Sequence, residues 1–146
     1  MTKSTTGVLE LLGGEKILKR QVSGIEDLRE VLREGLPFHA LESLAKAMEV
    51  QTAALTKIVR LAPRTLARRK ESESNFSSVE SDRIYRVARI MSLSIEVLGT
   101  KEKAKQWLSR PNRALGGEKP LSLLDTDIGA KQVEEVLGRI AHGVFS

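Results

Sequence analysis

Between Val50 and Lys70 the sequence VQTAALTKIVRLAPRTLARRK holds six cations, Lys57, Arg60, Arg64, Arg68, Arg69 and Lys70, and no Asp or Glu. The chemistry open to such a run is anion binding. An Arg fork can bond bidentately to a phosphate or to O6 and N7 of guanine, and Lys adds a compact point charge. The whole chain leans the same way, with 24 Lys and Arg against 19 Asp and Glu and a formal net charge of +5. That balance favours an anionic partner. The aromatics are Phe38, Phe76, Tyr85, Trp107 and Phe145, scattered along the chain, so no stacking platform for single strands stands out. Duplex DNA is the expected anion.

The elements that must position these cations follow from apolar spacing. Residues 52–59 place Leu55, Ile58 and Val59 inward, "RLA" makes a short turn, and Pro63 opens a second helix, "PRTLARRKE". Pro suits a first helical turn. Two helices joined by so short a turn make a helix-turn-helix, whose second helix enters the major groove. In it Leu66 and Ala67 are expected to pack and Arg64, Arg68 and Arg69 to face out. Arg64 and Thr65 would lie where base edges are read, while Lys57, Arg60 and Lys70 hold phosphates.

Around this pair the periodicity predicts helices over residues 25–34, 37–48, 79–98, 101–110 and 130–142. Ser23 and Glu26 have capping-box spacing ahead of the first, Gly35 can end it, and Thr100 can cap "KEKAKQWLSR". No segment alternates with period two for long, so the fold class is all-α. The composition shifts near residue 100 from basic to balanced and loop-rich, which divides the chain into residues 1–99 and 100–146. The echo of "LLGGEKIL" in "ALGGEKPL" has unlike flanks and is not read as a repeat.

Other chemistries find little support. Neither "LGGEK" segment has phosphate-loop spacing or follows a strand, so no cofactor is expected. There is no Cys, and His39 and His142 lack the spacing of a helical metal pair; structural or surface roles suit them, and no metal is expected. No nucleophile elbow is present, so the chain is not read as an enzyme. Asp125 and Asp127 would favour the N-terminus of the last helix. No apolar segment reaches membrane-spanning length and none reads as a signal peptide, so a cytoplasmic protein is expected. Gly143 would stop the last helix, leaving Val144, Phe145 and Ser146 as an apolar terminus with a free carboxylate.

The stretch "WLSRPNRALGGEKPLSLLDTDIGAKQVEEVLGRIAHGVF" resembles the toxin-binding domain of the Xre/MbcA/ParS antitoxins, partners of RES-domain toxins. The resemblance runs through Trp107-Leu108, Pro111-Asn112, Ala114 to Gly117, Pro120-Leu121, Leu124, Thr126, Gly129, Val133, Leu137, Ile140 and Gly143. Upstream, "RTLARRKE" and "ESDRIYRVARI" resemble the family's Xre-like helix-turn-helix and its following long helix. The resemblance implies an Xre-like helix-turn-helix bundle followed by a small helical toxin-binding domain. It further implies a homodimer that binds and blocks a NAD-degrading RES toxin and represses its own operon through operator DNA. For toxin contact it points to Arg139, His142, Gly143, Val144, Phe145 and Ser146. The alternative is a stand-alone helix-turn-helix regulator whose C-terminal half dimerises.

Overall fold

The computed structural model describes residues 3–143, so Val144, Phe145 and Ser146 lie outside the described residues. The helices are α1 Lys3–Leu11, α2 Gly14–Leu18, α3 Ile25–Glu34, α4 Phe38–Met48, α5 Thr52–Ile58, α6 Pro63–Ser72, α7 Ser78–Leu98, α8 Lys101–Ser109 and α9 Asp127–Ala141. Two 3-10 turns, Arg113–Leu115 and Pro120–Asp125, separate the last two. Among the described residues there is no strand, and the all-α reading stands.

The long helix α7 organises the fold. Its Ile84, Val87, Ala88, Ile90 and Met91 are fully buried, and it touches α1, α3, α4, α8, α9 and the second 3-10 turn. Each of the four larger side chains contributes about 1.5–3 kcal/mol by leaving water. The apolar cluster runs without a break from Val8 and Leu12 through Leu41, Leu55 and Met91 to Leu124, Val133 and Leu137. The core is therefore continuous across residue 100.

Several local expectations need correction. Ser23 and Glu26 do not form a capping box: α3 begins after Gly24 without a side-chain cap, and Ser23 donates from both its N–H and its hydroxyl to Asp27 (3.0 and 2.7 Å). The full box lies instead at Ser77 and Glu80 on α7, where "SSVE" carried the same spacing. The N-terminal run "STTGVLEL", with low helix propensity at Thr and Gly, is nonetheless helical. Burial of Val8, Leu11 and Leu12 and packing of α1 on α7 override that propensity. The last helix begins at Asp127, ahead of the expected Ala130, because Thr126 caps it by accepting the Gly129 N–H (2.9 Å). Asp127 does sit in that first turn. Thr100 caps α8 as expected, accepting the Lys103 N–H (3.1 Å).

Candidate functional site

The turn between α5 and α6 is built from backbone geometry. At the end of α5 the Leu61 N–H reaches the Thr56 carbonyl (2.9 Å) and the Arg60 N–H that of Lys57 (3.3 Å). Arg60 adopts φ 57°, and Leu61 is buried. This is a Schellman closure with its left-handed residue and its apolar follower. Pro63 then starts α6 with Ala62 at its cap. The two helices of the expected helix-turn-helix are therefore present with a four-residue connection, Val59 to Ala62.

No residue of α6 is fully buried, and only Leu66 packs against the core from it. Lys57, Arg60, Arg64, Arg68 and Lys70 are exposed, and Thr65 is half-buried. Two orientations differ from expectation. Ala67 is exposed rather than packed, and Arg69 faces inward, its side chain only 23% exposed. Its guanidinium donates to Glu80 Oε1 (3.1 Å), the same oxygen that accepts the Ser77 N–H (2.7 Å). Glu80 thus serves two ends at once, closing the cap of α7 and holding α6. The Nε of Arg69 is buried without a hydrogen-bond partner, a cost of about 1–3 kcal/mol that the hydrogen bond and ion pair to Glu80 must offset.

The C-terminal part is shaped by its loop. Asn112 Oδ1 accepts the Ala114 N–H (2.9 Å), the Asn112 carbonyl accepts from Leu115 and Gly117 (3.0 and 2.9 Å), and the Asn112 N–H donates to the Glu118 carbonyl (3.0 Å). Gly116 and Gly117 hold φ 67° and 84°, which only residues without a Cβ adopt at low cost. Residues 112–118 therefore form a closed ring. It delivers Leu115 and Leu124 into the core and leaves Pro120 buried. Beyond it, a Cβ on Gly129 would lie 1.9 Å from the Leu123 carbonyl oxygen, so α9 can start this close to the 3-10 turn only with glycine there.

Two arginines of α7 fasten this part. Arg86 Nε donates to the Leu124 carbonyl (3.0 Å), and Arg89 pairs with Glu134 of α9. Neither was expected from sequence, because each partner lies 38 or more positions away. At the far end of α9, Arg139, His142 and Gly143 are exposed, and Gly143 adopts φ 73°. The structure brings these three together at one helix end. The cations of α5 and α6 form a separate group. His39 lies on the surface, its Nδ1 2.6 Å from Glu42 Oε1.

The sequence profile of the antitoxin Xre-like helix-turn-helix domain matches residues 27–89. That of the antitoxin Xre/MbcA/ParS C-terminal toxin-binding domain matches residues 94–143. The chain is similar to Antitoxin Xre of Photorhabdus laumondii subsp. laumondii, 36% identical over 120 residues, covering 82% of this chain and 81% of the relative. It is likewise similar to Antitoxin Xre of Yersinia enterocolitica, 33% identical with the same coverage. A more distant relative, named Prs ADP-ribosylating antitoxin, from Sphingobium sp., is 25% identical over 80% of this chain and 79% of its own length.

Proposed function

Because this chain belongs to the Xre antitoxin family, and is thus an antitoxin of a type II toxin-antitoxin system with a helix-turn-helix, we propose that it blocks a NAD-consuming RES-domain toxin. We further propose that, as a cytoplasmic homodimer, it represses its own operon by binding operator DNA. The observation that carries the reading is the match of both parts to one family, joined to the separation of two exposed groups. One is a cationic helix pair free of acids from Val50 to Lys70. The other is the end of α9, with Arg139, His142 and Gly143 uncovered.

In this reading residues 1–99 carry DNA binding and 100–146 toxin binding. Arg64 and Thr65, at the start of α6, face base edges, while Lys57, Arg60, Arg68 and Lys70 hold phosphates. The closed ring of residues 112–118 aims α9, whose Arg139, His142 and Gly143 lead Val144, Phe145 and Ser146 into the toxin's cleft. There Phe145 takes up space that NAD needs, and inhibition is by occlusion. A relative whose name speaks of ADP-ribosylation fits a toxin that uses NAD.

The test is cellular NAD during induction of the protein encoded beside this one, alone and with the antitoxin. NAD should collapse in the first case and hold in the second. Deleting residues 144–146 should abolish the protection while leaving operator binding intact. Protection that survives the deletion would move inhibition from residues 144–146 to the body of α9.

A further inference from the structure

Helix α6 carries the residues proposed to meet DNA, yet it buries none of its own. Only Leu66 packs from it against the core, and the exposed Arg64 and Arg68 leave the helix on about the opposite side. One apolar contact is a pivot: it holds the helix down but leaves its roll about its own axis open. The second fastening is Arg69, about one turn beyond Leu66, whose guanidinium donates to Glu80 Oε1 (3.1 Å).

Glu80 is itself held from two sides. Its Oε1 accepts the Ser77 N–H (2.7 Å), and its own N–H donates to Ser77 Oγ (3.1 Å). The carboxylate therefore cannot follow α6 if that helix rolls. The Glu80 side chain is 14% exposed and that of Arg69 23%, and salt screens so covered a pair far less than one on the surface.

We propose that Glu80 sets the angle at which α6 is presented, and with it the choice among DNA sequences, as a positioning residue that touches no DNA itself. Phosphate contacts tolerate a small roll, because long Lys and Arg side chains can follow the backbone charge. Base-edge contacts do not, because a bidentate fork works only in its own plane. Fixing the roll therefore acts on discrimination more than on overall affinity. The inference rests on the DNA-binding reading of α6.

The measurement is binding of the full chain to two duplexes, one from the region upstream of its own gene and one with the same bases shuffled. Glu80→Gln keeps an oxygen for the Ser77 N–H but loses the charge, and Arg69→Met keeps the stem and leaves the cap of α7 untouched. The first removes an acid and the second a base, so their direct electrostatic effects on DNA affinity oppose each other. Both should nevertheless lose on the order of tenfold of the preference for the upstream duplex, the weight of about one bidentate base contact. The double variant should lose no more than either alone, because the two residues act as one unit. Ser77→Ala is the control for structure alone: it should weaken the cap and lower the melting temperature, with the preference unchanged.

Hydrogen exchange gives a second readout, expected to be faster over residues 63–72 in both single variants. A preference kept in either single variant, a double variant that loses the product of the two, or an equal loss in Ser77→Ala would each overturn the proposal. A wild type that binds both duplexes equally overturns the DNA reading instead. Exchange then decides the positioning by itself, and rates over α6 that stay at the wild-type level in both variants overturn it.

Discussion

Arg68 and Arg69 are neighbours in the chain with different tasks. Arg68 is exposed on α6, so Arg68→Ala should weaken DNA binding and reduce the log–log salt slope by about 0.9, the signature of one lost phosphate contact. Arg69 is committed to Glu80. Arg69→Ala should therefore lower affinity with the slope unchanged and cost about 1–2 kcal/mol of stability, between an exposed pair and a buried one. A salt titration of both variants and a denaturant melt of the second check this. Glu49 offers a different readout. The Lys105 hydrogen bond, then the charges of Lys105 and Lys101, hold its carboxyl below the usual range. A lowered folded value means the stabilisation is full above the ordinary Glu value, about 4.3, and is lost as pH falls through the lower one. Glu49→Gln should flatten the acid side of a stability-against-pH curve in that window.

At the scale of elements, two backbone devices shape the surfaces proposed for DNA and toxin. The turn of the helix pair places Arg60 at φ 57°, a region that costs a residue with a Cβ about 1–2 kcal/mol. Arg60→Gly should leave the fold as stable or slightly more so, while removing the phosphate contact proposed for it. A melt and a salt titration on the same sample separate the two effects. The start of α9 depends on Gly129, where a Cβ would sit 1.9 Å from the Leu123 carbonyl. Backbone must shift to admit it, so Gly129→Ala should destabilise by about 1–3 kcal/mol or more and impair toxin binding. Calorimetry of the variant and pull-down with the cognate toxin test both. The ring of residues 112–118 touches the core through Leu115, and its hydrogen bonds close on itself. Its Asn and Gly residues are accounted for by shape.

For the whole molecule, α7 is shared property. Its first turns hold α6, and Arg86 and Arg89 further along hold the second 3-10 turn and α9. With one apolar cluster spanning both parts, unfolding should be a single transition with equal calorimetric and van't Hoff enthalpies, near about 100 kcal/mol for a chain this long. Leu124→Ala, fully buried beneath the C-terminal part, should cost about 2–5 kcal/mol and shift that one transition, rather than split it. The sequence by itself determined the helices whose apolar residues recur at three and four positions, the turn before Pro63, the Thr100 cap and the acid-free run of cations. Each of these is a local property, fixed within about one or two helical turns. The helical state of residues 3–11, the inward turn of Arg69 and the Arg86 and Arg89 fastenings were decided by tertiary structure alone. Their partners lie far off in the chain, and burial against α7 outweighs what neighbouring residues prefer.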